Sequence, residues 1–281
     1  MSKAAIWPNF FVVGVGKAGT TSLYEWLKQH PQVYMCPIKE PHFFAREFVS
    51  KSIKDVNKYL RLFQKAHGFK AIGEASTSYF RWGELVASRI KKSIPEARII
   101  IVLRDPIERA HSDWLMHYRR ADEHMDFYTA LIASPFRDKY IQRYSPVVKK
   151  YMELFRDNVL LLMFEELKNE PQKVLHKIAE FLDVDKEPIA RIRLVLGNPG
   201  GAPRGEWARQ LLLLRKRIPL RSLPLPRSLK GYLFKILAGP AGPKPPIDPR
   251  AIDLLRPIFE PDIRELEHLL KRPLPELRKV W

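Results

Sequence analysis

The chain has 281 residues, of which 46% are hydrophobic, so it can bury a sizeable core and is not a disordered protein. Its single cysteine, Cys36, excludes an intrachain disulfide framework, and without a cysteine motif around it we interpret it as a packing residue rather than a nucleophile. The net charge of +18 favours anionic partners such as nucleotides, polyanions, nucleic acid or acidic lipid, without choosing among them.

Predicted strands and helices alternate along the chain. The apolar run Phe10–Val15 reads as a buried strand, followed by a turn over 16–19 and a helix over 20–29 that ends before Pro31. Further strands are predicted at 33–35, 70–73, 98–103 and 159–163, and further helices at 54–66, 82–92, 106–120 and 171–182. This alternation predicts an α/β fold, a P-loop-like three-layer α/β/α arrangement with a central, mostly parallel sheet.

The character of the chain changes after Gly197, where a predicted loop over 198–203 begins. Residues 207–247 are apolar and rich in proline, and they contain nine Lys or Arg but no Asp or Glu. We interpret them as an insertion or cap on a single domain of residues 1–281, followed by a C-terminal helix over 250–271. Two roles stay open for 207–237: a peripheral membrane contact with anionic headgroups, or a cap over the functional site with its charges in solvent.

The N-terminal apolar stretch is short and contains Pro8 and Asn9, so it does not read as a signal peptide. No apolar run reaches the ~20 residues that a membrane-spanning helix needs. The sequence therefore predicts a cytoplasmic protein, with the membrane contact at 207–237 as the open alternative to a fully soluble one.

A glycine-rich loop, Gly14–Ser22, connects the first strand to the first helix. Glycines allow a tight turn and close approach to an anion, and the N–H groups at a helix start favour negative charge. Three consecutive hydroxyls (Thr20, Thr21 and Ser22) and the charge of Lys17 add to this. The pattern predicts a phosphate-binding loop, but not a Walker A loop, in which lysine directly follows the last glycine.

The stretch GVGKAGTTSLYEWLKQHP resembles the 5′-phosphosulfate loop of sulfotransferases that use 3′-phosphoadenylyl sulfate (PAPS), in the branch of heparan sulfate sulfotransferases and their bacterial relatives. The resemblance implies transfer of the sulfuryl group to a hydroxyl or amine, without a metal, leaving 3′-phosphoadenosine 5′-phosphate (PAP). It implies that Lys17 contacts the sulfuryl group and the leaving phosphate. It also implies a set of residues around the 5′-phosphate: Gly16, Lys17, Ala18, Gly19, Thr20, Thr21 and Ser22.

The segment Lys39–Phe44 resembles the part of these enzymes that carries the catalytic base. Glu40 matches the base, which the reaction needs because an acceptor hydroxyl is a poor nucleophile until its proton is removed. His42 stays open as a competing base, since histidine has this role in the cytosolic sulfotransferases.

The stretch from Ile101 to Trp114 resembles the family's 3′-phosphate motif. Arg104 follows a predicted central strand and can meet phosphate oxygens with two parallel hydrogen bonds, and Ser112 lies two turns into the next helix. The alternative role of Arg104 is an ion pair with Asp105 or Glu108. Arg204 and Gly205 resemble, more weakly, a segment that closes over the 3′-phosphate.

The sequence departs from the animal heparan sulfate enzymes at one position. Ala75 stands where their Glu-Lys-Thr-Pro segment has lysine, which leaves the acceptor open among saccharides, glycolipids and small alcohols or amines. Glu74 remains, and we expect it to orient the acceptor or Lys17.

Two rival functions are a P-loop nucleotide phosphotransferase or kinase and a polyanion-binding module without catalysis. Nucleic acid is not an expected partner, because no helix-turn-helix, zinc-finger or RNP pattern occurs. The eight histidines form no metal-ligand spacing, so no metal site is expected.

Overall fold

Five parallel strands form the centre of the fold. The computed structural model describes residues 5–119, 122–133, 140–195 and 243–281. The strands are β1 Phe10–Gly14, β2 Val33–Met35, β3 Ala71–Ala75, β4 Arg98–Leu103 and β5 Val159–Met163. They form one sheet in the order β2-β3-β1-β4-β5, and every pair is parallel. The prediction of an α/β fold around a parallel sheet is confirmed.

The central strands are apolar along their whole length because both faces of the sheet are covered. All five residues of β1 are buried, and so are the last five residues of β4. Strands buried on both faces read as continuous hydrophobic runs rather than as alternating ones. The burial of β1 and β4 therefore explains why these strands were predicted almost without error.

Strand β3 differs from its prediction. The sequence suggested a strand over 70–73, whereas β3 continues to Ala75 and includes Glu74 with none of its surface exposed. The hydrophobic pattern stops at Gly73, and a charged residue normally marks the end of a buried strand. The longer strand places an acid inside the protein.

Helices connect the strands. In the described part of the chain the helices are α1 Thr20–Leu27, α2 Val56–Arg61, α3 Ser78–Arg81, α4 Gly83–Ser93, α5 Pro106–Arg119, α6 Phe127–Ile132, α7 Ser145–Phe155, α8 Phe164–Asn169, α9 Pro171–Leu182 and α10 Pro249–Leu270. Helix α2 is shorter than the predicted 54–66, and its N-cap is Asp55, whose side chain accepts from Lys58 N. Helices α3, α6, α7 and α8 were not predicted.

A second hydrophobic cluster joins the C-terminal helix to the body of the protein. It lies between α5, α6 and α10 and includes Trp114, Phe127 and Phe259. Beside it, the buried carboxylate of Asp262 in α10 accepts hydrogen bonds from the backbone of Tyr144 at 2.6 Å and of Ser145 at 2.9 Å. These bonds hold the start of α7 against α10, the helix that the sequence predicted over 250–271.

Much of the basic segment lies outside the described residues. Of 207–247, only 243–247 are described, so its role as a cap or membrane contact, and the single-domain interpretation of 1–281, stay predictions. Among the described helices, none combines the length and the apolar character needed to cross a bilayer.

We expect Asp262→Ala to lower the free energy of unfolding by about 2–4 kcal/mol, because it leaves two buried N–H groups without an acceptor. Urea unfolding measures the change. Asp253→Ala removes an exposed acid from the same helix and is the matched control. Equal stability of the two variants would show that the contact with α7 contributes nothing.

Candidate functional site

The predicted site segments that the structure describes lie at the carboxyl edge of the sheet, with Ser112 two turns into the helix that follows β4. We call Gly14–Ser22 the phosphate loop and Lys39–Phe44 the base segment. The phosphate loop follows β1, the base segment follows β2, and Arg104 follows β4. In open parallel sheets ligands bind at this edge, so the fold brings together segments that are far apart in sequence.

The phosphate loop is shaped to receive an anion. Gly19 has a φ of 79° and precedes α1, and a side chain there would bring its Cβ to 2.6 Å from Cδ2 of Leu167. Only glycine fits this position without strain. The N-cap of α1 is Gly19, which makes no side-chain cap hydrogen bond, and no acid occurs in the first turn of the helix. The positive end of the helix dipole at this point favours an anion such as a phosphate.

Arg104 fastens the phosphate loop to the neighbouring strand. Its Nη1 donates to the carbonyl oxygen of Lys17 at 2.9 Å, and its Nε and Nη2 donate to Oε2 of Glu108 at 3.2 and 3.1 Å. The guanidinium also stacks over the ring of Phe164, 4.5 Å from its centroid. The ion pair considered as an alternative role for Arg104 therefore exists, and Ser112 lies half-buried two turns along α5.

The pKa of Glu108 reflects this pairing. Burial opposes ionisation of its carboxyl, but the charge and hydrogen bonds of Arg104, together with the charges of Lys244 and Lys279, hold the pKa below its ordinary value. The pair is thus a guanidinium and a carboxylate at neutral pH.

The base segment has an unusual backbone. Glu40 and His42 have φ values of 64° and 55°, in the left-handed region that residues with a side chain rarely adopt. Among the described residues six non-glycine residues have positive φ, and Lys17 is a third one at this site. Such conformations cluster at functional sites because only a surrounding structure built to hold them makes them persist.

The side chain of Glu40 is held by three neighbours. Its Oε1 accepts from Lys39 Nζ at 2.9 Å, and its Oε2 accepts from Thr77 Oγ1 at 3.2 Å. The Nε2 atom of His42 lies 3.4 Å from the same Oε2, while its Nδ1 is hydrogen-bonded to Ser78 Oγ at 2.7 Å. The two candidate bases are therefore adjacent.

Burial lowers the pKa of His42, although the charge of Glu40 acts in the opposite direction. A histidine with a lowered pKa is neutral at physiological pH. The site therefore contains the neutral imidazole of His42 next to the carboxyl group of Glu40.

Thr77 links the base segment to the phosphate loop. A Cβ built on Gly16 would lie 3.9 Å from Thr77 Oγ1, the atom that donates to Glu40. The structure therefore brings together the predicted phosphate site and both predicted bases, as a single reaction site requires.

A buried acid lies behind the base segment. Glu74 accepts hydrogen bonds from the hydroxyls of Tyr59, Tyr79 and Ser76, the last at 2.7 Å. Burial raises its pKa to about 7, against the opposing effect of these donors. The expectation that Glu74 orients the acceptor is wrong, because its side chain has no exposed surface. Tyr59 and Tyr79 were not predicted from the sequence, because no motif marks either residue.

Cys36 is fully buried, and burial raises the pKa of its thiol to about 12, which agrees with its interpretation as a packing residue. Arg204 and Gly205 lie outside the described residues, so their assignment stays a prediction. In the described ranges no group of three His, Cys, Asp or Glu residues is arranged to hold a metal ion.

Comparison with known proteins adds to this geometry. Residues 8–194 match a family model described as "Sulfotransferase domain". Carbohydrate sulfotransferase 15 from Mus musculus is 28% identical over 73% of this chain and 48% of the relative. Bifunctional heparan sulfate N-deacetylase/N-sulfotransferase 4 from the same organism is 26% identical over 97% of this chain and 32% of the relative. The chain thus spans about half the length, or less, of these curated relatives.

A solved bacterial structure matches along nearly the whole chain. The sulfotransferase from Alicyclobacillus acidocaldarius is 26% identical, with a TM-score of 0.71 over 97% of this chain and 99% of that one.

We expect the wild-type protein to lose about 2–3 kcal/mol of stability relative to Glu74→Gln between pH 5 and pH 8. The folded protein holds the Glu74 proton up to a pKa of about 7, while the unfolded chain releases it at the lower ordinary pKa, so rising pH favours unfolding. Urea titrations of both proteins at several pH values measure the difference. An unchanged difference across this range would contradict the buried acid.

Proposed function

The chain belongs to the sulfotransferase family, and on that basis we propose that it transfers the sulfuryl group of PAPS to a hydroxyl or amine of a saccharide. The observation that carries the proposal is the junction at Thr77, where the phosphate loop and the base segment meet. A phosphate site alone would fit any nucleotide-binding protein, whereas a phosphate site next to a held carboxylate suits group transfer to a nucleophile.

The described residues fit PAPS at both of its phosphate ends. The uncapped start of α1, with Thr20 and Ser22 in its first turn, would hold the 5′-phosphosulfate. Arg104 and Ser112 would hold the 3′-phosphate, with Arg104 already oriented by Glu108 and Phe164. When bound, PAPS supplies the sulfuryl group that is transferred.

Residues of the base segment and the phosphate loop carry out the proton transfer and the charge stabilisation of the reaction. Glu40 accepts the proton of the acceptor hydroxyl or amine, and Thr77 and Lys39 hold its carboxylate in place. Neutral His42 stands beside Glu40 and is the competing base. Lys17 and the N–H groups of the phosphate loop stabilise the negative charge left on the phosphate side.

The acceptor class rests on the relatives. The two curated proteins are named for carbohydrate and heparan sulfate substrates, which supports a saccharide acceptor for this chain. Ala75, in place of the lysine in the resembled Glu-Lys-Thr-Pro segment, argues against simply assigning heparan sulfate. Glycolipids share the saccharide chemistry and belong in the same acceptor screen.

We expect PAP to bind without metal, and Lys17→Ala and Arg104→Ala each to weaken that binding by about tenfold or more, the effect of one lost charge-assisted contact. Arg104→Ala should weaken binding of 5′-AMP less than binding of PAP, because 5′-AMP has no 3′-phosphate and uses only the phosphate loop that Arg104 helps to hold. Calorimetry measures the dissociation constants. Arg191→Ala, at a side chain that is 81% exposed, is the control. Tighter binding of ATP with magnesium than of PAP would contradict PAPS as the donor and favour a phosphotransferase.

We expect Glu40→Gln to lower kcat by about 10²–10⁴-fold, since glutamine keeps the shape and the contact with Thr77 but cannot take a proton. PAP affinity should stay within about twofold, since Glu40 does not bind the donor. The assay follows PAP release with desulfated saccharides as acceptors. His42→Asn is run beside it, and a larger loss in that variant than in Glu40→Gln would make His42 the base.

A further inference from the structure

Glu74 lies behind the site, and its contacts reach the base segment by three routes. Its carboxylate is bonded by Ser76, Tyr79 and Tyr59. Each of these three side chains in turn touches a different residue of the base segment. We propose that Glu74 is a positioning residue, which holds the base segment in its catalytic conformation through these three side chains.

Two of the routes end on backbone N–H groups. Ser76 Oγ donates to Glu74 Oε1 at 2.7 Å and accepts from the N–H of His42 at 3.2 Å. The hydroxyl of Tyr79, bonded to Glu74, accepts from the N–H of Phe44 at 3.1 Å. Each hydroxyl therefore links the carboxylate of Glu74 to one backbone N–H of the base segment, at His42 or at Phe44.

The direction of these bonds depends on a carboxylate. A hydroxyl has one proton to donate, and an ionised carboxylate can only accept. Glu74 therefore draws the protons of Ser76 and Tyr79 towards itself and leaves their lone pairs for the two N–H groups. A glutamine would present an NH₂ group to at least one hydroxyl, which would have to turn its proton away.

The third route is a ring contact. Tyr59, whose hydroxyl is bonded to Glu74, stacks on Phe43 with centroids 4.2 Å apart and planes inclined by 10°. Three successive residues of the base segment, His42 to Phe44, are thus fixed by groups anchored on one buried acid.

The base segment needs such an anchor. Glu40 and His42 both have left-handed backbone conformations, which are unfavourable for residues with a side chain. Other bonds contribute from the same strand, since the N–H of Glu40 donates to the carbonyl of Ala75 at 3.0 Å. The end of β3 therefore holds the base segment in two ways, through the carbonyl of Ala75 and through the side chains bonded to buried Glu74.

The location of the acid supports a role beyond packing. Its side chain has no exposed surface, and burial raises its pKa to about 7, so ionisation costs stability that a neutral residue of the same shape would not. Groups that cost stability in this way concentrate where function needs them.

The test is hydrogen exchange of the full-length chain at pH 8, combined with kinetics. Glu74→Gln, Ser76→Ala and Tyr79→Phe should each speed amide exchange in peptides covering 40–46 by about tenfold, the effect of losing one buried hydrogen bond, and leave the phosphate loop unchanged. With a saccharide acceptor, kcat should fall by about tenfold, with PAP affinity within about twofold of wild type. Tyr34→Phe, which removes a hydroxyl bonded to Leu62, is the control and should change neither readout.

The outcomes separate this inference from the proposed reaction, on which its kinetic part rests. Unchanged exchange over 40–46 in all three variants overturns the positioning role. A lower melting temperature with unchanged kcat per folded molecule also overturns it, because Glu74 would then serve only the fold. A wild-type protein without sulfuryl transfer, but with faster exchange over 40–46 in the variants, supports the positioning role and defeats the proposed reaction.

Discussion

The parallel direction of the five strands is the constraint on which the rest of the structure depends. In a parallel sheet all carboxyl ends lie on one edge, and each strand must be reached by a crossover that returns the chain to the opposite edge. The loops that follow β1, β2, β3 and β4 are therefore neighbours in space, although residues 17 and 104 are far apart along the chain. The phosphate loop, the base segment and Arg104 meet for this reason alone.

Adjacency does not by itself give a working geometry, which comes from hydrogen bonds that run between neighbouring strand ends. The N–H of Val15 donates to the carbonyl of Val102, and Arg104 donates to the carbonyl of Lys17, so β4 holds the phosphate loop. On the other side, Ala75 and Thr77 at the end of β3 hold Glu40. Groups fixed before a substrate arrives need not reorganise during the reaction, which is how such sites lower a barrier.

Stability and function oppose each other at the end of β3. Glu74 would be more favourable as a neutral residue, since burial penalises its charge, yet that charge is what orients Ser76 and Tyr79 towards the base segment. The main core around the sheet, with strands buried on both faces, stabilises the fold enough to offset the cost of burying this charge. The aromatic residues Tyr59 and Phe43 belong to this core and to the support of the site at once.

The sequence alone determined the features that are local in the chain. Hydrophobic runs and helical spacing predicted the five strands, the helix after the phosphate loop and the C-terminal helix, because burial imposes a period on neighbouring residues. Lys17, Glu40 and Arg104 could be named because each stands in a short, recognisable pattern. Helices α3 and α6 to α8 were missed; α3 has four residues and α6 and α8 have six each, too short for the helical period to be distinctive.

Only the tertiary structure decided how those residues are held. Buried Glu74 is hydrogen-bonded both by Tyr59 of α2 and by Tyr79 of α3, and no spacing in the sequence relates these two tyrosines. The bond from Arg104 to the carbonyl of Lys17 likewise spans 87 positions. Such contacts depend on which strands become neighbours in the sheet, and that order is set by the packing of the whole chain rather than by any segment within it.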